Sequence, residues 1–119
     1  MIKKIAFTMY PVRDMARARA FYEGQLGLTL SHDFRGEWVE YDLAGGCLAL
    51  TTMASDVRPA SDAGGSIAFE VDDVDGLVSA LVAAGTPLKV PPFSTPVCRM
   101  AVVEDPAGNA VTLHQVTDL

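Results

Sequence analysis

The apolar positions of the chain change from a strand-like to a helix-like spacing twice. Residues 3–12 alternate loosely and are rich in strand formers, and from Met15 to Leu26 apolar residues recur at spacings of three and four. Asp14 stands where a side-chain oxygen caps a helix, and Gly27 follows as a C-terminal glycine. This pattern predicts a strand and then a helix with one apolar stripe facing a sheet.

Three further strands are predicted after this helix, namely LTLSHDF, EWVEYDL and CLALTTM. The second half of the chain repeats the order. IAFEV is a strand, Asp72 or Asp73 caps a helix that ends before Gly85, and TPLKV, CRMAVVE and AVTLHQV are strands. In the segment DPAGN, Asp, Pro and Gly occupy the positions that a type I turn prefers. Each half is therefore predicted to be a βαβββ unit.

The two halves align residue by residue, which indicates an internal repeat. Asp14 matches Asp73, an offset of 73 − 14 = 59, and near the last strand Leu50 matches Leu113, an offset of 113 − 50 = 63. We expect one domain with three segments: module one at about 1–53, a linker at 54–64 and module two at about 65–119.

The repeat also predicts the architecture. Each helix covers one face of its strands, and the opposite face stays open. The fold class is α+β, with two βαβββ modules whose strands form a curled mixed sheet around a cleft. Concave surfaces with a few polar groups are the usual ligand sites of small domains.

Charge and composition limit the kinds of partner. Nine basic and fifteen acidic residues give 9 − 15 = −6, which disfavours nucleic acid and suits a cationic or neutral small molecule. No apolar run approaches the ~18 residues of a membrane helix, and the start lacks a signal peptide's features. A cytoplasmic protein without membrane contact is expected. Cys47 and Cys98 lack CxxC spacing and are expected to be free thiols.

Three segments resemble the vicinal oxygen chelate superfamily, the group of glyoxalases, bleomycin-resistance proteins and dioxygenases. They are PVRDMARARAFYEGQLGL, FEVDDVDGLVSALVAAG and DPAGNAVTL, and the resemblance covers essentially the whole chain. It implies paired βαβββ modules around a cleft, commonly in a homodimer. It also implies that metal-dependent relatives bind a divalent ion through the first and last strands of each module.

The resemblance places these metal-binding positions at Phe7 and Ser66 on the first strands and at Ala49 and Thr112 on the last strands. None of the four offers the imidazole, carboxylate or thiolate group that such a site needs. No cofactor is therefore expected.

Strand parity adds further cleft candidates. Trp38 is out of phase with Val39 and Tyr41, which should take the helix-covered face, so its ring should face the cleft and stack on a planar or cationic ligand. Packing or a dimer contact explains Trp38 equally well. The full set of cleft candidates is Phe7, Met9, Trp38, Glu40, Ala49, Ser66, Cys98, Thr112 and His114.

The histidines and Cys98 have plainer interpretations as well. His114 shares the strand face of Thr112 and reads first as a hydrogen-bonded rim histidine, and then as a ligand contact or a base. His32 reads as a core or interface histidine. Cys98 reads as a small buried hydrophobe whose orientation the sequence leaves open.

Two functional hypotheses follow. The first is a small-molecule-binding protein without the usual metal centre, similar to the branch that sequesters antibiotics such as bleomycin, which are bulky, partly planar and often cationic. The second is a metal-dependent lyase, isomerase, thiol transferase or dioxygenase with a divalent ion in a non-standard site of His114 and Glu40, with Cys98. An interaction module with a self-filled cleft is a third reading. The sequence assigns no catalytic residue.

Overall fold

A computed structural model describes residues 1–117 of the chain. The chain divides into two compact units, Met1–Pro59 and Ala60–Leu119. Each unit contains a helix and a four-stranded sheet in the order β, α, β, β, β. In each sheet one strand pair is parallel and the other pairs are antiparallel, so both sheets are mixed. The predicted α+β class with two βαβββ modules is confirmed.

Module one has the strand order β1-β4-β3-β2. Its strands are β1 (Thr8–Pro11), β2 (His32–Phe34), β3 (Trp38–Leu43) and β4 (Gly46–Thr51). Helix α1 (Met15–Arg19) begins at Asp14, whose side chain accepts a hydrogen bond from the Arg17 amide, as the sequence predicted.

The core of module one lies between α1 and one face of the sheet. The residues in it are buried almost completely: Ala18, Phe21, Tyr22, Val39, Tyr41, Leu48 and Leu50. The Tyr41 hydroxyl donates to Glu23 (2.9 Å), and Glu23 also accepts from the Arg19 guanidinium (2.6 Å). The hydrogen bond from Arg19 holds the pKa of Glu23 below its usual range, and burial raises the pKa of Tyr41. The network satisfies the one polar atom that Tyr41 carries into the core.

Module two has the strand order β5-β8-β7-β6. Its elements are β5 (Ile67–Glu70), α2 (Val74–Ala83), β6 (Leu88–Ser94), β7 (Cys98–Glu104) and β8 (Ala110–Val116). Asp73 caps α2 by accepting from the Gly76 amide. Side chains of the sheet also hold the helix, since Gln115 accepts from the Val74 amide (2.9 Å) and Arg99 pairs with Asp75 (2.6 Å).

The predicted turn at DPAGN is confirmed. The Gly108 amide donates to the Asp105 carbonyl (2.9 Å), which closes the turn, and Gly108 has a φ of 93° that side chains rarely tolerate. The Asp105 carboxylate is 2% exposed. One of its oxygens accepts from the amides of Ala107 and Asn109, and the other accepts from the Asn109 side chain (3.0 Å).

Several predicted element bounds are wrong. The first strand occupies Thr8–Pro11 rather than 3–12, because its pairing with β4 begins at Thr8. Only His32–Phe34 of LTLSHDF is a strand, and TPLKV starts at Leu88 but continues to Ser94. The first helix changes after Arg19 to π-helical geometry over Ala20–Gln25. No helix among residues 1–117 is long and apolar enough to cross a membrane.

Candidate functional site

The face of the first sheet that α1 leaves uncovered carries aromatic and acidic side chains. Strand pairing sets Met9, Ala49 and Glu40 side by side on it. Val39 and Tyr41 point to the opposite face and have no exposed surface. Trp38 is half-buried and shares the face of Glu40, so the alternation predicted for this strand is confirmed.

The Trp38 indole is held by two neighbours. Phe7 packs edge-to-face against it, with ring centroids 5.2 Å apart and an interplanar angle of 88°. The indole N–H donates to the Glu40 carboxylate (2.8 Å). Such aromatic pairs are worth about 0.5–1.5 kcal/mol beyond the area they bury. A ring fixed in this way loses little further freedom when a ligand stacks on it.

A pocket of about 510 Å³ lies next to this pair, within the usual size range of small-molecule sites. Its walls are the segment Lys4–Phe7, the side chains of Glu40 and Asp42, and the hairpin residues from Leu43 to Cys47 apart from Ala44. Two carboxylates and one lysine line it, and this balance favours a cationic group over an anionic one.

Three side chains of this pocket come close enough to share one ion. The ligand atoms of Glu40, Asp42 and Cys47 all lie within 4.8 Å of one another. Burial and the two neighbouring carboxylates raise the pKa of the Cys47 thiol, and a thiol must lose its proton to bind a metal. Within residues 1–117 no other three histidine, cysteine or acidic side chains cluster in this way. Of the predicted set of His114, Glu40 and Cys98, only Glu40 belongs to it.

The open face of the second sheet is polar along β8. The hydroxyls of Ser66 and Thr112 lie 3.3 Å apart. Two residues further along β8, Nδ1 of His114 lies 2.6 Å from Oε1 of Glu70. The other Glu70 oxygen accepts from the Val116 amide (2.8 Å). That amide and the imidazole hold the pKa of Glu70 below its usual range.

Cys98 is buried, and the direction of its side chain is now defined. Its sulfur lies 3.0 Å from the Thr95 hydroxyl. Arg99 points to the other side of the sheet, where it binds Asp75 on α2. Cys98 therefore shares the open face with Met100. The cation next to it in sequence, Arg99, lies on the other face, whereas an activated thiol has a cation beside it. Both cysteines are free thiols, as predicted.

The resemblance in sequence implies divalent-ion ligands at four positions, but the residues at these positions do not fit such an ion. Phe7 packs on Trp38, and Ala49 is completely buried. Ser66 and Thr112 do meet, but through neutral hydroxyls that bond each other. Divalent metal sites are built from carboxylate, imidazole or thiolate groups.

The structure corrects the prediction for His32 and adds three residues to the candidate sites. His32 is exposed and stacks on Phe34 (6.0 Å), so its interpretation as a core histidine is wrong, because the three-residue β2 is an edge strand. Its interpretation as an interface histidine stays a prediction. The proposed ligand roles of the nine cleft candidates stay predictions. Sequence reasoning missed Asp42, Cys47 and Glu70.

Signals for these missed residues were present. A two-residue turn between Leu43 and Gly46 sets Asp42 opposite Cys47 in the β3–β4 hairpin. The repeat offsets map Glu70 onto Pro11 (70 − 59 = 11) and His114 onto Thr51 (114 − 63 = 51), and Pro11 does pair with Thr51. The same pairing in module two sets Glu70 beside His114.

Comparison with known proteins defines the class. The profile of the Glyoxalase/Bleomycin resistance protein/Dioxygenase superfamily matches residues 4–113. The chain therefore belongs to this superfamily, in agreement with the resemblance seen in its sequence. No curated protein matches the chain.

Solved structures share the fold over nearly the whole chain. TnmS3, an antibiotic binding protein from Streptomyces sp. CB03234, is 28% identical over 98% of each chain, with a TM-score of 0.81. A glyoxalase/bleomycin resistance protein from the same organism is 28% identical over 92% of this chain and 98% of its own, with a TM-score of 0.76. A lactoylglutathione lyase from Agrobacterium tumefaciens is 23% identical, covers 96% of this chain and 94% of its own, has a TM-score of 0.73, and shows the fold alone.

Proposed function

We propose that the protein binds a small hydrophobic or cationic molecule on the open face of module one, without a conventional metal centre, and sequesters it. The observation that carries this proposal is the Trp38 indole, which Phe7 and Glu40 hold beside an acidic pocket. A flat aromatic surface hydrogen-bonded to one carboxylate, next to a pocket lined by that carboxylate and a second one, suits a ligand that is planar in part and positively charged.

The residue at the first metal-binding position supports the same function. Phe7 takes the place where metal-using relatives carry a ligand, and its ring serves here to hold Trp38. Sequestration needs affinity and no chemical step, so the loss of metal ligands does not impair it. The likeness to an antibiotic binding protein favours an antibiotic-like ligand over a metabolite of the lyases. We infer a cytoplasmic homodimer, with each chain a single glyoxalase-like domain.

A metal-dependent enzyme is the alternative, and the cluster of Glu40, Asp42 and Cys47 is the observation that favours it. Against it, Glu40 already accepts from Trp38, and the raised pKa of Cys47 disfavours the thiolate.

Elemental analysis separates the two functions. Protein purified without chelators, loaded with Ni, Zn, Mn and Fe and then dialysed, is expected to carry far less than one ion per chain. A near-stoichiometric ion that is lost in Cys47→Ser would overturn the metal-free function and establish the alternative. The Cys98→Ser protein is the matched control, because its thiol lies outside the cluster.

A further inference from the structure

Glu70 holds the His114 imidazole in a geometry that makes Nε2 of the ring a hydrogen-bond acceptor. The carboxylate is the acceptor at 2.6 Å, so Nδ1 of His114 must carry the proton. In a neutral imidazole this leaves the lone pair on Nε2. Among residues 1–117 the Nε2 atom has no hydrogen-bond partner, and the side chain keeps 31% of its surface exposed.

The carboxylate is itself fixed in place. Its second oxygen accepts a hydrogen bond from the amide of Val116, which lies two residues after His114 on β8. Glu70 is therefore tied to β8 at two points, through a backbone amide and through a side chain. Such a support sets both the tautomer and the direction of an imidazole ring.

The surroundings of His114 add a second polar anchor and an apolar floor. Met100 pairs with His114, and Val102 pairs with Thr112, on the same face. Thr112, whose hydroxyl lies 3.3 Å from that of Ser66, is two residues from His114 on β8, which is about 6.6 Å along a strand. The two polar residues on β8 thus lie beside Met100 and Val102 on β7, and their spacing matches one aromatic ring with a polar substituent.

We infer that Nε2 of His114 accepts a hydrogen bond from a hydroxyl or N–H group of a small aromatic ligand, and that Glu70 is the positioning residue. This site lies wholly within module two and does not rest on the function proposed for module one. It involves no transfer of a group. The ligand class is a phenol or a similar ring with one donor.

Nitrogen NMR of the labelled full chain tests the inference at pH 9, where an ordinary imidazole is neutral. We expect the Nδ1–H tautomer for His114. Exposed His32, which has no carboxylate partner in the described part of the chain, serves as an internal control. Phenol should shift the Nε2 resonance of His114 saturably, and anisole, which lacks the donor, should not.

Two variants give matched controls. Glu70→Ala should lose the tautomer preference and bind phenol at least five times more weakly. Glu104→Ala removes the same charge from the same sheet face and should change neither. An unprotonated Nδ1 in the unaltered chain, no saturable response to phenol, an equal response to anisole, or equal effects of the two variants would overturn the inference.

Discussion

Asp105→Ala is expected to lower the free energy of unfolding by about 3 kcal/mol, because it removes the carboxylate that accepts hydrogen bonds inside the turn. Asp105 is 2% exposed and accepts from two backbone amides and from the Asn109 side chain. Each unsatisfied buried donor costs about 1–3 kcal/mol. For a chain of this length the loss corresponds to a fall of roughly 10 °C in melting temperature. Urea unfolding followed by circular dichroism measures it.

A control is needed because the substitution also changes the net charge. Asp62→Ala makes the same charge change at an exposed residue of the predicted linker. Its stability is expected to stay within about 0.5 kcal/mol of the original chain. If Asp105→Ala were as stable as Asp62→Ala, the carboxylate would not be what organises this turn.

Trp38→Leu is expected to weaken binding of metal-free bleomycin about tenfold, measured by calorimetry. Stacking contributes about 0.5–1.5 kcal/mol and a cation over the ring about 0.5–2 kcal/mol. Their sum, about 1–3.5 kcal/mol, includes the roughly 1.4 kcal/mol that corresponds to a factor of ten in affinity. Leucine keeps apolar volume at this half-buried position but offers no flat ring.

Trp38→Phe is the conservative variant. It keeps an aromatic face but loses the N–H that donates to Glu40. We expect a loss of affinity of only about two- to threefold, because the phenyl ring keeps the stacking surface and loses only the bond that fixes its position. Unchanged affinity in the leucine variant, with an unfolding midpoint like that of the original chain, would show that Trp38 has only a packing role.

Features that depend on local order were predictable. Alternation along β3 is a property of the strand itself, so the opposite orientations of Trp38 and Tyr41 followed from their positions. The caps at Asp14 and Asp73 followed from the same kind of local chemistry.

Features that depend on a partner were harder to predict. The ends of β1 and β2 are set by how far the neighbouring strand reaches, and apolar alternation carries no information about that. The contacts within the candidate site were hard to predict for the same reason. Glu40 was found from its parity, but its bond to Trp38 and its closeness to Cys47 depend on side-chain directions and hairpin register. The position of Glu70 beside His114 could be found only by transferring the strand pairing of module one to module two.

We propose that this member of the glyoxalase superfamily binds its ligand without a metal ion. A fluorescence titration tests this most directly. Trp38 is the only tryptophan in the chain, so its emission reports on the proposed site. Protein dialysed against EDTA is titrated with metal-free bleomycin, with the Trp38→Leu protein as the blank. We predict a saturable change in emission that added Ni, Zn, Mn or Fe does not alter. No saturable change, or one that appears only after a divalent ion is restored, would contradict the claim.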